Sequence, residues 1–418
     1  MKRVLLISNN VLSKIDNNGK TYASILSHYP PSSIAQLYFS IGGYEDDKLC
    51  STYLNVTDLD VCRSIIKPHR TAKKNHNLSA ESNSEINVKK RQLVGKIKKF
   101  LTPFIRDVIW KFGSWYTPGL KEWLKEFRPD VVFLVSGPYN FPNRIAKKIC
   151  EDFHIPLVLY YTDDYVVNSI KHNVFYPIVK FRRKKNYNRV ISYSSRRYVI
   201  GEEMARVYSQ YFDRPFDYIM NSVDIIPYSP KIVNGYNVII SYFGSLHSKR
   251  WNSIIKLSKS LPDNCIIKVY TISLDDSIKS EILKYSKIRL CGGVKGTELL
   301  EAMHKSDFLL HVESDDKYYR RLTGLSVSTK IPEYLIASRP IIAFGPQEVA
   351  SMKLLSNNKI GITIDSNTDT DNIRLLLNDF ISKPNHLLEM TKRGYDFALK
   401  NFNRKIVSEK VFKDLENL

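Results

Sequence analysis

Short apolar runs alternate with helical patterns along this chain, and the alternation runs through twice. In the first half, residues 4–8, 35–39, 131–135, 157–161 and 189–192 read as short buried strands. Helical patterns lie between them, up to residue 27 and over 120–127, 143–153 and 194–212. Asn221-Ser-Val-Asp224 then runs into Pro227 and Pro230, a domain boundary. The second half restarts with strands at 238–243, 265–270, 288–290, 308–312 and 360–364 and helices over 249–260, 297–305, 370–381, 385–401 and 404–418. Continuous apolar strands separated by helix-length segments require parallel sheets covered on both faces, with right-handed crossovers. At 418 residues the chain exceeds one ordinary core. The expected fold is therefore α/β, with two facing doubly wound Rossmann-like domains.

In such sheets ligands bind beyond the carboxyl ends of the strands. Those ends fall at residues 8–19, 136–137 and 163–164 in the first domain, and at 244–250, 291–295, 313–317 and 328–333 in the second. Two facing sets form an interdomain cleft, a preferred small-molecule site. The segment 326–346 is the most telling. It reads as a loop, a short helix and a buried strand. Ser328 or Thr329 suits the N-cap, and Pro332 is tolerated in a first turn. Free N–H groups and the positive helix end suit an anion, Lys330 adds a full charge, and Glu333 shares its face. Caps and Lys–Glu pairs are also ordinary surface features; a position at a strand end favours the ligand reading. Donors for phosphate beside an acceptor for hydroxyls are what a nucleotide-sugar needs.

The charge balance is unusual, with 63 Lys and Arg against 42 Asp and Glu, a net of +21. This implies an anionic partner: nucleic acid, membrane lipid or a phosphate-bearing substrate. No nucleic-acid-binding motif occurs, so nucleic acid is not the expected partner. Residues 67–90 are polar and read as a surface loop. Over 88–112, Leu93, Val94, Ile97, Phe100, Leu101 and Phe104 recur at helical spacing among basic residues, with Pro103 expected to kink or divide the helix. This segment either lies in an anionic membrane interface or packs on its own domain with a solvated basic face. No apolar run approaches the ~20 residues needed to span a bilayer. The opening Met1-Lys-Arg-Val-Leu-Leu-Ile reads as a first strand and not a leader. Five scattered cysteines without a Cys-x-x-Cys pair suit a reducing compartment. A cytoplasmic protein, peripheral on the inner face of the cell membrane, is expected. Asp58-Leu-Asp60 has the Asp-x-Asp metal spacing but lies outside the strand-end set, and His154, His247, His304 and His311 show no ligand spacing. No metal and no separate cofactor are expected. Gly292-Gly293 lacks the third glycine of a dinucleotide fingerprint.

Four segments resemble the GT-B glycosyltransferases, most of all the family 4 type of bacterial surface-polysaccharide enzymes. They are Asn221-Ser-Val-Asp224; Tyr242-Phe-Gly-Ser-Leu with Lys249; Gly292-Gly-Val294 with Glu298-Leu-Leu-Glu301 and Ser306-Asp307; and Ser328-Thr-Lys-Ile-Pro-Glu-Tyr-Leu335 with Arg339-Pro340. The resemblance implies a GT-B fold: an acceptor-side domain over 1–223, a nucleotide-sugar domain over 224–395, and a C-terminal helix over 396–418 returning to the first domain. It implies transfer of a hexosyl group from a UDP- or GDP-sugar to a glycan or lipid-linked acceptor. Lys249, Arg250 and Lys330, with the Ser328 and Thr329 amides, would hold the diphosphate, and charge-assisted donors suit a departing diphosphate. Glu333 would accept from the ribose, backbone at Val294 would read the base, and Gly244 would leave room for the nucleotide. The loop carrying Asn18 and Gly19 would lie against the donor phosphates or the acceptor. Asp163 or Asp164 is a candidate acceptor-side base, or a solvated cap. Family members often carry a glutamate eight positions before the ribose-binding one; here Leu325 stands there. Glu313, Asp315 and Asp316 are nearby acids at a different spacing. Retention of configuration is thus an expectation of the resemblance; a GT-B-fold partner protein without turnover stays open as an alternative, since function belongs to sites and not folds, and behind it a basic nucleic-acid-binding protein.

Overall fold

The computed structural model describes residues 1–14, 17–66, 103–168 and 176–418. Among these, two all-parallel sheets form. The first contains β1 (Val4–Ser8), β2 (Ile34–Tyr38), β3 (Thr52–Asn55), β4 (Val131–Ser136), β5 (Leu157–Tyr161), β6 (Arg196–Val199) and β7 (Asp217–Tyr218) in the order 3-2-1-4-5-6-7. The second contains β8 (Val238–Phe243), β9 (Cys265–Tyr270), β10 (Ile288–Leu290), β11 (Phe308–Val312), β12 (Ile341–Gly345) and β13 (Ile362–Asp365) in the order 10-9-8-11-12-13. Both are doubly wound Rossmann-like sheets, whose strand order reverses beside β1 and β8 and opens a crevice at their carboxyl ends.

The period-2 alternation of the strands explains why both faces are covered. In β11, Phe308, Leu310 and Val312 enter one core cluster of the second domain, and Leu309 enters the other. Helix Lys330–Ile336 packs on the Leu309 face through Ile331, Tyr334 and Leu335. His311 and Glu313 follow Leu309 at the same alternation, so they lie toward that helix.

The C-terminal helix returns to the first domain. Helix Pro384–Asn401 packs on the second domain, placing Leu387 and Met390 in one of its core clusters and Ala398 in the other. The chain then crosses at Val223, whose N–H donates to Phe402 O at 2.8 Å and whose carbonyl accepts from Arg404 N–H at 3.0 Å. Helix Arg404–Glu416 buries Val407, Val411 and Leu415 in the first core. Burying such side chains contributes about 1.5–3 kcal/mol each, which holds the return.

Several local expectations are corrected. Residues 189–192 are not a strand but the end of helix Tyr176–Tyr193, where Tyr187, Val190 and Ile191 face the core at helical spacing. The strand lies later, at β6, and the next helix is Glu202–Phe212. Asn18 and Gly19 sit in the first turn of helix Asn17–Ile25 and not in a loop. Pro103 starts helix Pro103–Phe112, where its missing N–H costs nothing. The expected loop at 67–90 and residues 88–102 of the basic segment lie outside the described residues. Asp58 and Asp60 are engaged locally. Asp58 Oδ1 accepts from Arg106 Nε at 2.8 Å and Trp110 Nε1 at 2.7 Å. Asp60 forms a capping box with Thr57, accepting from its N–H at 2.9 Å.

Candidate functional site

The two domains meet on side chains from the strand ends of both sheets. Asn221 is the hub. Its Oδ1 accepts from Thr21 Oγ1 at 2.8 Å, and its Nδ2 donates to Thr329 O at 3.2 Å. The segment 221–224 thus ties the first helix, the crossover and the start of helix Lys330–Ile336 together. Ser326 Oγ donates to Asp163 Oδ1 at 3.1 Å, and Lys353 Nζ pairs with Glu203 at 2.7 Å. A Cβ on Gly201 would come within 2.8 Å of Val327 Cγ2, so the domains touch closely there.

Glu333 lies at the centre of a cationic cluster. Its Oε1 accepts from Lys20 Nζ of the first domain at 2.7 Å and its Oε2 from Lys330 Nζ at 2.8 Å. Burial pushes the Glu333 carboxyl up, and the two lysines more than offset this, leaving it below the ordinary glutamate value. A cavity of about 570 Å³ adjoins it, lined by Lys14, Lys20, Ser24, Asp224, Glu333 and Arg404 among others. That cavity does not reach Gly244, Lys249 or Val294.

A second cluster forms where β11 ends. Glu313 is buried, with Oε1 at 3.2 Å from His311 Nε2 and Oε2 at 3.6 Å from Arg250 Nη2. Burial raises the Glu313 carboxyl, but His311 and Arg250 bring it below its ordinary value. A Cβ on Gly345 would approach the Glu313 Cβ to 2.8 Å, so this glycine lets β12 pass close to the chain at Glu313. Lys249, half-exposed, pairs instead with Asp316 at 2.6 Å. Asp316 also caps helix Lys317–Thr323, and Asp315 pairs with Lys256 at 3.3 Å. The three nearby acids are therefore all held by cations.

The other expected residues divide. Gly244 has φ 149°, a conformation glycine adopts freely, and it follows Phe243, whose N–H donates to Tyr334 Oη at 3.1 Å. Strand β8 is thereby tied to the helix carrying Glu333. Val294 is half-buried against the core cluster under that helix. Asp163 accepts from Ser326 and from Tyr165 Oη at 3.1 Å, whereas Asp164 is buried and accepts from three backbone N–H groups and Tyr208. Asp164 is thus a loop-organising residue and not a solvated cap. Gly19 is buried, and a Cβ there would meet Val11 O at 2.2 Å. Packing of the helix on the preceding loop, and not room for a ligand, requires that glycine. Asn18 is exposed on the same turn.

The start of helix Lys330–Ile336 also differs from expectation. Thr329 is the N-cap in helical conformation with no side-chain cap bond, and the Ser328 amide already donates to Ser351 Oγ at 3.1 Å. Leu325 is buried in the core of the first domain, although it belongs to a loop of the second. Ser306, Asp307 and Arg339 are structural. Asp307 accepts from Ile239 N–H at 2.8 Å, Ser306 donates to Ser241 at 2.7 Å, and Arg339 donates to the Ser229 and His304 carbonyls. Sequence reading missed Lys20, discounted His311, and named Asn221 and Glu313 without their partners across the site. His311 and Glu313 alternate along one strand into the ligand end, a signal available from period 2 alone.

Among the described residues, no group of three or more His, Cys, Asp or Glu is arranged to hold a metal ion, and no helix is long and apolar enough to cross a membrane.

Comparison with solved structures bears on the fold. HepE of Anabaena, solved in complex with UDP, matches over 100% of both chains at 12% identity with a TM-score of 0.64. TarM matches at 11% identity with a TM-score of 0.62, covering 100% of this chain and 99% of that one. WaaG, a glycosyltransferase involved in lipopolysaccharide biosynthesis, matches at 11% identity with a TM-score of 0.56 over 97% of this chain and 98% of its own. The fold is GT-B. The family described as Glucosyltransferase 3-like, C-terminal domain, matches residues 240–379, which hold the Arg250–Glu313 and Lys330–Glu333 clusters. No curated protein sequence matches the chain.

Proposed function

We propose that the chain is a glycosyltransferase that moves a hexosyl group from a nucleotide-sugar to a glycan or lipid-linked acceptor in surface-polysaccharide synthesis. One observation carries the reading. The Lys330–Glu333 pair stands at a strand end facing the other domain, within the segment that matches a glucosyltransferase C-terminal domain. HepE, which shares the fold, has been solved with UDP and with UDP-glucose, which supports a UDP-sugar ahead of a GDP-sugar.

In this reading Glu333 accepts from the ribose hydroxyls once Lys20 has given it up. Backbone at Val294 reads the base, and Gly244 leaves room for the nucleotide. Lys249, Arg250 and Lys330 neutralise the diphosphate as it leaves, with Thr329 and Ser328 at the turn beneath it; preorganised cations are worth most where charge develops. The C1–O bond to the diphosphate breaks, the acceptor oxygen bonds C1, and the acceptor proton passes to the departing phosphate oxygen, consistent with retention. Asp163 orients the acceptor hydroxyl from the first domain, above the turn carrying Asn18 and Gly19. No metal enters this scheme. The reaction is placed in the cytoplasm, at the inner membrane face.

Incubation of the purified chain with UDP- and GDP-sugars and acceptor lipids tests the reading. Release of UDP or GDP with a retained anomeric signal in the product NMR is expected. Absence of release with every donor, together with no thermal shift by UDP or GDP, refutes it. A second reading, a GT-B-fold partner without turnover, is favoured by the burial of Leu325 where family members often carry a carboxylate. Any turnover with a matched donor dismisses it.

A further inference from the structure

A strongly basic groove lies on the first domain, outside the clusters described above. Two adjoining cavities, of about 280 and 450 Å³, share Arg144, Asn186 and Arg189 in their walls. They run between helices Phe141–Phe153 and Tyr176–Tyr193, and Lys111 of helix Pro103–Phe112 also lines the larger one. Arg183 and Lys185 also line the larger cavity, and Lys147 the smaller.

The carboxylates in these walls are already engaged. Asp107 accepts from Asn140 N–H at 2.8 Å, Asn140 Nδ2 at 2.7 Å and Phe141 N–H at 3.1 Å, and Glu151 pairs with Lys147 one helical turn away. Asp107 offsets part of the charge of Arg144 and Glu151 that of Lys147, which leaves Lys111, Arg183, Lys185 and Arg189 as the cationic excess of the walls. Burial pushes the Arg144 guanidinium down from its ordinary value, a cost that a bound anion would relieve.

Buried donors also lack partners there. Asn143 is 1% exposed, and its Oδ1 accepts from Ser136 Oγ at 2.7 Å. Its Nδ2, which has no hydrogen-bond partner among the described residues, belongs to the wall of the smaller cavity. Asn186 Nδ2 and Arg183 Nε are likewise buried without a partner. A buried donor left unmade costs about 1–3 kcal/mol, and three together beside several cations suit an oxygen-rich anion. Arginine forks match phosphate oxygens in pairs, which a flat lipid-facing surface does not require.

We propose that this groove binds a phosphate-bearing group of the diphosphate class, carried by the acceptor. The inference rests on the transferase reading for the word acceptor and deepens it by naming that molecule's anionic handle. The site itself stands on the groove alone.

The test is calorimetric titration of the full chain with inorganic pyrophosphate in excess UDP, which masks the donor side. Wild type, Lys185→Gln/Arg189→Gln and Lys249→Gln are compared. Lys185 and Arg189 are exposed on their helix, so the double variant retains its fold, checked by its melting temperature. Pyrophosphate binding that weakens about tenfold or more in the double variant, is kept in Lys249→Gln, and comes with unchanged UDP affinity in the double variant, supports the site. No binding by wild type, or equal binding by the double variant, overturns it. Co-sedimentation with neutral and phosphatidylglycerol vesicles separates the sources. Anionic-vesicle binding that the double variant loses but pyrophosphate does not compete away overturns the discrete site and assigns the patch to a membrane face. Failure of UDP to bind any variant counts against the transferase reading, while the pyrophosphate comparison still decides the groove.

Discussion

Lys20 Nζ donates to Glu333 Oε1 at 2.7 Å, so a lysine from the first helix of one domain caps the carboxylate of the other. The partner lysine, Lys330, takes the second oxygen. Both carboxylate oxygens of Glu333 are thus engaged by cations, one from each domain. The lysine is 37% exposed and the glutamate 13%, so the bridge is neither fully screened nor deeply buried.

Lys20→Met should loosen this contact between the domains. A partly exposed pair contributes about 1 kcal/mol or less, so the global melting temperature should fall little. The radius of gyration of the unliganded chain, by small-angle scattering, should increase. An unchanged radius would show that Asn221 and Leu325 hold the domains without the bridge.

Glu333→Ala should weaken UDP binding about tenfold, the scale of one charge-assisted hydrogen bond. Glu333→Gln, which keeps an acceptor oxygen, should lose less. Equal affinities for all three proteins, by calorimetry, would remove Glu333 from the nucleotide site.

Leu325→Ala should cost about 2–5 kcal/mol, because a loop of the second domain loses its anchor in the core of the first. Leu325→Glu buries a carboxylate among apolar neighbours, so it should destabilise the chain and add no turnover. A stable, more active Leu325→Glu protein would overturn this assignment. Denaturant unfolding and UDP-release assays read both outcomes.

Acid should lower the stability of the folded chain. Bonding to Arg206, together with Lys353, holds the Glu203 carboxyl down at about 2 against 4.5 when free, and Glu333 is also below 4.5. A carboxyl lowered in the folded state binds fewer protons there than when unfolded, so its contribution is present above pH 4.5 and fades toward pH 2. The melting temperature should fall across that window. In Glu203→Gln the slope should be shallower, and an identical slope would refute the linkage.

Gly19→Ala should destabilise the first helix by about 1–3 kcal/mol, since its Cβ would meet Val11 O at 2.2 Å and the backbone must move. Hydrogen exchange over the helix Asn17–Ile25 would report the loosening. Protection equal to wild type would show that the loop gives way freely.

Much of this molecule was legible from local pattern. Val4–Ser8, Val238–Phe243 and Phe308–Val312 are apolar but for Ser8, Ser241 and His311 because both faces of a parallel strand are buried, and that signal needs no partner to be recognised. Residues 189–192 misled because Val190 and Ile191 are β-branched, while their helical spacing with Tyr187 appears only once the core they face is known. Strand β3 was missed because it is short and only partly buried at a sheet edge, so its sequence carries little apolar pattern.

The sequence by itself determined two Rossmann-like sheets and the helix that carries Lys330 and Glu333, because these depend on periodicity and turn chemistry within a few residues. Only the tertiary structure decided which charges meet. Lys20 and Glu333 are 313 positions apart, and Asp163 and Ser326 are 163 apart. It also withdrew the Ser328 amide into a bond with Ser351 and sent Leu325 into the other domain's core. Side-chain pairing across a cleft depends on how two sheets far apart in the chain pack, and no local spacing encodes that.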